Sequence, residues 1–170
     1  MELAKIKDQI LLCLNKLYTH DEILFSRNNG NGLCERCLVF RLGLYLQEIF
    51  PNYFVDCDFN SAIVDGRPVS GKPITNPDYS TTDRFVDIIV HKRLQPPHTD
   101  FICFEIKKWN NTNRLAAKKD QNNLKILTSE YGYKYGFYLI LGRTIDETHW
   151  AIFRNGSVFE DLRSVITGRA

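Results

Sequence analysis

The chain has 170 residues, of which 44% are hydrophobic and 12% aromatic. This composition supplies a core for one folded domain over residues 1–170 and excludes a mainly disordered chain. Lysine and arginine total 22 against 20 acidic residues, so any basic surface must be local. The sequence contains no signal-peptide core and no apolar run of about 18 residues. Together with scattered cysteines that suit reduced thiols, this predicts a cytoplasmic protein without membrane contact.

The first half of the chain predicts two helices and a strand. Apolar residues at helical spacing predict helices over residues 2–19 and 33–49, and Pro51 ends the second. Residues 54–59 predict the first strand. Residues 65–83 are rich in Gly, Pro, Ser and Thr, and their apolar residues follow neither the helical period nor the strand period. We therefore expect one long surface loop there after a possible hairpin start.

The second half predicts central strands around another helix. Residues 85–91 (FVDIIVH) and 101–109 (FICFEIKKW) are β-branched and aromatic, and a turn containing Pro-Pro joins them. Helical periodicity follows over residues 113–131. The remaining predicted elements are strands over 135–141 and 150–154 and a short helix over 159–167. This order predicts an α/β fold.

Two acidic residues, Asp87 and Glu105, lie inside the clearest predicted strands. A buried, ionised carboxylate is costly unless a cation or hydrogen bonds compensate it. If the turn spans residues 94–100, hairpin pairing puts Asp87 opposite Lys107 and Ile89 opposite Glu105. Because side chains alternate along a strand, Asp87, Glu105 and Lys107 would project from one face, with the carboxylates as diagonal neighbours.

Paired carboxylates beside a lysine suit phosphodiester hydrolysis. Mg²⁺ prefers carboxylate and carbonyl oxygens together with waters, so two carboxylates are enough for it. Such an ion lowers the pKa of a bound water and neutralises charge in the transition state, and a lysine ammonium positions the nucleophile or stabilises that charge. We therefore expect Mg²⁺ or Mn²⁺ at Asp87 and Glu105, with Lys107 as a catalytic partner.

Asp87, 17 intervening residues and Glu105-Ile106-Lys107 resemble the Asp…Glu-x-Lys signature of the PD-(D/E)XK, or restriction-endonuclease-like, nuclease superfamily. The resemblance covers roughly residues 33–142, predicted as an αβββαβ core, with an extra N-terminal helix and a C-terminal extension. Val86 stands where the family name has proline, which leaves the acidic ligand in place.

The resemblance implies a mixed central sheet flanked by helices and a metal-dependent endo- or exonuclease. It implies Asp87, Glu105 and the Ile106 carbonyl as metal ligands, DNA rather than RNA as substrate, and a role in restriction, phage defence or repair. A homodimer is a further expectation, because one small domain with one site cuts one strand. Two alternatives stay open: a catalytically inactive module that binds nucleic acid or a protein partner, and a structural hairpin in which Lys107 and Arg84 neutralise the carboxylates.

Two more candidate catalytic residues lie on core-facing helical stripes. Glu35 shares a stripe with Leu38, so its carboxylate points toward the core side. Superfamily members often place an acidic residue on this helix near the metal; a capping or salt-bridging glutamate is the alternative. Gln121 shares a stripe with Leu124, where some families carry a residue that contacts the active site; a satisfied buried amide is the alternative.

A local basic surface is predicted next to the Glu-x-Lys strand. Residues 107–125 contain six basic residues and one acidic residue, and intervening asparagines add donors for phosphate oxygens. We expect nucleic acid to bind here, and a solvated helix face is the alternative. The predicted contacts are Lys108, Arg114, Lys118, Lys119 and Lys125.

One segment matches a nucleotide-binding motif only in part. Residues 66–72 (GRPVSGK) match the first seven positions of a phosphate-binding P-loop, but Pro73 stands where the motif has Ser or Thr. Pro68 also removes an amide donor that a phosphate would need. We therefore expect no nucleotide cofactor.

Overall fold

The chain forms an α/β fold in which, over the described residues, three α-helices cover a mixed six-stranded sheet. The structure is a computed structural model. It describes residues 2–25, 35–59, 61–64, 67–70, 73–75, 81–83, 86–93, 100–111 and 113–162.

The first two helices cover one face of the sheet. α1 spans Leu3–His20 and α2 spans Glu35–Ile49. Apolar residues recur every three or four positions along α1, and Ile6, Ile10 and Leu14 are fully buried. Both predicted helices are confirmed over the described residues. A short 3₁₀ turn, Glu22–Leu24, follows α1.

The sheet is mixed because one helical crossover interrupts a series of antiparallel strands. The remaining elements in chain order are β1 (Phe54–Phe59), β2 (Ser61–Val64), β3 (Arg67–Ser70), β4 (Pro73–Thr75), β5 (Thr81–Asp83), β6 (Val86–His91), β7 (Asp100–Lys108), α3 (Arg114–Ser129), β8 (Tyr135–Leu141), a 3₁₀ turn (Ile145–Glu147), β9 (His149–Arg154) and β10 (Ser157–Leu162). β1, β6 and β7 are antiparallel neighbours, and β8 runs parallel to β7. β9 is antiparallel to β8, and β10 is antiparallel to β9.

The central strands are buried on both faces, which explains their continuous apolar sequence. Ile88 and Phe104 pack into the cluster formed with α1 and α2. Ile89 and Cys103 pack into a second cluster with Leu124 of α3. Helix α3 therefore covers the face opposite to α1 and α2.

The prediction of one long loop over residues 65–83 was wrong for the residues that the structure describes there. β2 pairs with β3, and β4 pairs with β5, as two short antiparallel hairpins. Val64 pairs with Arg67 in the first of them, and residues 65 and 66 lie outside the described residues. The low hydrophobicity of the segment concealed these hairpins.

The prediction of a C-terminal helix was also wrong where the structure can be compared. Residues 159–162 belong to β10, which pairs with β9, and residues 163–167 lie outside the described residues. Asn155 and Gly156 between these strands have φ values of 49° and 76°. An Asn-Gly pair with positive φ at both positions favours a tight hairpin that matches the strand twist.

Candidate active site

The pairing of β6 with β7 brings Asp87 and Glu105 together. Ile88 pairs with Phe104 and Ile89 with Cys103, so the predicted pairing of Ile89 with Glu105 was wrong by two residues. The prediction counted its pairs from an assumed turn over residues 94–100, and the observed pairs do not follow that count. A slip of two residues preserves the face on which each side chain lies. The observed register, continued by one pair, puts Asp87 directly opposite Glu105.

Asp87 is anchored to the neighbouring strand by a backbone hydrogen bond. The N–H of Ile106 donates to Asp87 Oδ2 at 2.7 Å. The N–H and C=O of one residue in a strand point to the same side, so the Ile106 carbonyl also points toward β6, the strand of Asp87. Burial raises the pKa of Asp87 to about 6, although the Ile106 hydrogen bond and the charge of Lys107 oppose the rise.

Glu105 is more deeply enclosed than Asp87. It is 4% exposed, and burial raises its pKa well above the ordinary value. The negative charges of Asp87 and Asp120 raise it further, while Lys107 and a hydrogen bond from the Asn123 amide act in the opposite direction. Asp87 and Glu105 therefore form a pair of carboxylates whose charge the protein compensates incompletely.

Lys107 lies between acidic residues of two helices. Its Nζ is 3.2 Å from Asp120 Oδ2 and 3.7 Å from Glu35 Oε1. Burial lowers the pKa of Lys107, but the charges of Asp120, Asp87 and Glu35 outweigh it and raise the pKa above the ordinary value. Lys107 is therefore a permanent cation at neutral pH, suited to orient or neutralise an anion rather than to remove a proton.

Glu35 reaches this site from the first turn of α2. Its Oε2 accepts a hydrogen bond of 3.2 Å from the N–H of Lys108, and its Oε1 faces Lys107. The sequence left a salt-bridging role and a site role open for Glu35. The structure shows the ion pair, and its partner Lys107 is itself a candidate site residue. A catalytic role for Glu35 stays a prediction.

Helix α3 presents Asp120 and Asn123 to the site, two residues that the sequence analysis missed. The predicted Gln121 is half-buried, and its side chain forms no hydrogen bond with another of the described residues. At about 100° per residue, Asp120 lies about 40° from Leu124, and Gln121 lies about 60° from it on the other side. Asp120 is thus nearer the stripe of Leu124 and Leu127 that faces the sheet, and a helical-wheel count could have found it.

A glycine lets α3 pack closely enough on the sheet for these contacts. A Cβ at Gly136 of β8 would lie 3.2 Å from Leu124 Cβ and 3.3 Å from Thr128 Cγ2. At the start of the helix, Asn113 Oδ1 accepts the N–H of Ala116 at 3.0 Å and caps it. These features set how close to the sheet α3 lies and the residue at which it begins, and α3 carries Asp120.

The basic residues predicted to bind nucleic acid do not share one surface. Lys108 is 6% exposed and lies on the sheet face opposite to Lys107, so its inclusion in the exposed basic surface was wrong. Arg114, Lys118 and Lys119 are exposed and Lys125 is half-buried.

The helical geometry of α3 separates these basic residues into two groups. At about 100° per residue, Arg114, Lys118 and Lys125 lie within about 40° of one another. Their side of the helix faces the β9–β10 turn, where Thr128 Oγ1 accepts the N–H of Gly156 at 3.1 Å. Lys119 points to the other side, about 40° from the Asn123 that contacts Glu105. Of the basic residues of α3, Lys119 thus lies nearest around the helix to the Asp120 and Asn123 of the site.

A divalent cation fits the donor atoms of this site. Asp87, Glu105 and the Ile106 carbonyl are hard oxygen donors, and the two carboxylates lack full compensation. Within the described part of the chain, no group of three His, Cys, Asp or Glu side chains could hold a metal ion by itself. Mg²⁺ seldom uses such a cage and completes its coordination with waters. Asp87, Glu105 and Ile106 are therefore the residues that would hold Mg²⁺ or Mn²⁺.

Comparison with known proteins assigns this chain to no family. No protein-family model matches it, and no curated protein matches it. Among the helices that the structure describes, none is both long and apolar enough to cross a bilayer.

The stability of the metal-free protein should depend on pH through Asp87. The pKa of its carboxyl is about 6 in the folded state against an ordinary 3.8, so the folded state binds this proton more tightly. The resulting stabilisation is complete below the pKa that Asp87 has in the unfolded chain, and it is lost as the pH rises through about 6. It amounts to at most about 3 kcal/mol. Asp87→Asn should therefore gain stability relative to wild type as the pH rises.

Urea denaturation with a chelator present checks this expectation at several pH values between about 4 and about 7. The free energy of unfolding of Asp87→Asn minus that of wild type should increase across this range. A difference that stays constant with pH would show that burial does not perturb Asp87.

Proposed function

We propose that this chain is a Mg²⁺- or Mn²⁺-dependent nuclease that hydrolyses phosphodiester bonds of DNA. The observation that carries the proposal is the pair of buried, incompletely compensated carboxylates on adjacent strands, with a permanently charged lysine beside them. Structural ion pairs also perturb pKa values, but they neutralise their carboxylates, whereas the Lys107 ammonium pairs with Asp120 and Glu35 instead.

The residues of the site have separate roles in the proposed reaction. Asp87, Glu105 and the Ile106 carbonyl bind the ion, which supplies activation of water and neutralisation of phosphate charge when bound. Lys107 stabilises the negative charge that develops on the phosphate and orients the attacking water. Glu35 holds Lys107 from the side of α2. Neither a nucleotide nor a second protein is needed for this chemistry.

The arrangement of elements supports the resemblance to the PD-(D/E)XK superfamily. α2, β1, β6, β7, α3 and β8 follow the αβββαβ order, with two short hairpins inserted between β1 and β6. The first three of these strands are antiparallel, and β8 is parallel to β7. DNA as substrate rests on this resemblance, and a homodimer rests on the argument that one small domain with one site cuts one strand.

Cleavage of labelled single- and double-stranded DNA and RNA tests the proposal. The purified chain should cut DNA with Mg²⁺ or Mn²⁺ and should stop cutting when a chelator is added. The double variant Asp87→Asn with Glu105→Gln, purified in parallel, controls for contaminating nucleases. Equal cleavage by both proteins would refute the proposal, and DNA binding without cleavage in either metal would favour the inactive binding module.

Lys119 should contribute more to DNA binding than its neighbour Lys118. Both are exposed lysines of α3, but only Lys119 lies on the side of the helix that faces the site. We expect Lys119→Gln to weaken binding about threefold to tenfold at low salt, as for loss of one phosphate contact, and Lys118→Gln to change it less.

Fluorescence anisotropy with a labelled duplex, in Ca²⁺ to prevent cleavage, measures both dissociation constants. The slope of binding against salt concentration should decrease by about one for Lys119→Gln. A larger effect of Lys118→Gln would mean that DNA instead follows the side of α3 near the β9–β10 turn.

A further inference from the structure

Asp120 lies outside the Asp…Glu-x-Lys pattern, yet its ion pair with Lys107 is the closest that this lysine makes among the described residues. The two atoms are 3.2 Å apart, and the side chains of Lys107 and Asp120 are 15% and 16% exposed. Water therefore screens this pair less than it screens a surface ion pair. With Glu35 on the other side at 3.7 Å, the ammonium is held between α2 and α3.

The position of Lys107 matters because two other carboxylates lie on the same face of the sheet. Glu105 is two residues before Lys107 on β7, and Asp87 is on the adjacent strand. Each would gain from any nearby cation, since a buried carboxylate without a partner is costly. Among the described residues, the ammonium lies within ion-pair distance of Asp120 and Glu35 but not of Asp87 or Glu105.

We propose that Asp120 is a positioning residue that holds Lys107 away from Asp87 and Glu105, and so leaves both carboxylates open to a divalent cation. The inference rests on the proposed function, because it assigns Asp120 a role at the metal site. Without the Asp120 carboxylate, Lys107 turns toward Glu105 and competes with the ion for it. Asp120 thus acts through Lys107 and does not itself bind the metal.

Calorimetric titration with Mg²⁺ alone, without nucleic acid, tests this role. We expect Asp120→Asn to bind Mg²⁺ about tenfold more weakly than wild type. Asp120→Glu keeps the charge and should recover most of the affinity. Glu130→Gln removes one negative charge from the exposed C-terminal end of α3 and should bind as wild type does.

Thermal melting without metal verifies folding, and Asp120→Ser replaces Asp120→Asn if that variant is unfolded.

Lys107→Met separates positioning from direct attraction of the ion by Asp120. With no ammonium to reposition, adding Asp120→Asn to Lys107→Met should change Mg²⁺ affinity less than about twofold. An equal loss of affinity in both backgrounds would overturn the proposal, because Asp120 would then act on the ion itself. If Asp120→Asn binds Mg²⁺ as tightly as wild type does, the positioning role of Asp120 is overturned and the proposed function is not. If wild type itself binds no Mg²⁺, the proposed function is overturned as well.

Discussion

Glu105→Gln is expected to abolish metal-dependent cleavage and, at the same time, to stabilise the metal-free protein. Glutamine keeps the shape of the side chain but removes the charge that would bind the ion. An ion that supplies several kcal/mol to the transition state corresponds to about 10³-fold in rate, so cleavage should fall by at least that factor.

Glu105→Gln should stabilise the protein while it abolishes cleavage, because burial disfavours the charged form of Glu105. Its pKa is raised well above the ordinary value by burial and then by Asp87 and Asp120. Removing the charge relieves that cost at neutral pH and should raise the melting temperature by about 2–4 °C for each kcal/mol relieved. Mg²⁺ should raise the melting temperature of wild type but not of Glu105→Gln, since only the wild type keeps both ligands.

Differential scanning fluorimetry with a chelator or with Mg²⁺ measures these melting temperatures, and the nuclease assay measures the rate. Glu130→Gln removes an exposed carboxylate at the end of α3, so it should leave both quantities unchanged. A Glu105→Gln protein that melts below wild type without metal would show that the carboxylate stabilises the fold, as in the structural-hairpin alternative.

Lys107→Met should lower the rate of cleavage by about 10²- to 10³-fold while leaving a metal site in place. The methionine fills similar space, but it cannot neutralise charge that develops on the phosphate. Because Lys107 forms no ion pair with Asp87 or Glu105 among the described residues, its removal should not weaken Mg²⁺ binding. The expected result is therefore a large loss in kcat without loss of metal affinity.

Single-turnover cleavage at saturating Mg²⁺ and calorimetric titration with Mg²⁺ separate these two effects. Lys5→Met, an exposed lysine of α1, is the matched control and should cleave at the wild-type rate. Lys107→Arg keeps the positive charge and should retain part of the activity. Unchanged cleavage by Lys107→Met would exclude Lys107 from the reaction, whatever the metal dependence of the protein.

The grouping of Asp87, Glu105 and Lys107 could be predicted because it depends on the alternation of side chains along strands. The predicted register was two residues from the observed one, yet the face of each side chain was correct, since a shift by an even number preserves it. The exact partners depend on the length of the turn and on the irregular pairing near His91, and the spacing of residues reveals neither.

The strands and hairpins were predictable to different degrees for local reasons. β6 and β7 have strongly apolar sequences, so their existence was clear. β10 was predicted as helix although Asn155–Gly156 carries a strong hairpin signal, and the pairing with β9 outweighed the apparent helical pattern. The short hairpins β2–β3 and β4–β5 contain too few residues for a reliable period.

The sequence by itself determined the main α/β order of elements and the face shared by Asp87, Glu105 and Lys107, because both follow from local periodicity. Only the tertiary structure decided that Glu35 and Asp120 hold Lys107 from opposite faces of the sheet. These residues are distant in the chain, and their meeting depends on how closely α2 and α3 pack on the strands. The separation of Lys119 from Lys118, by contrast, follows from the period of the helix and not from this packing.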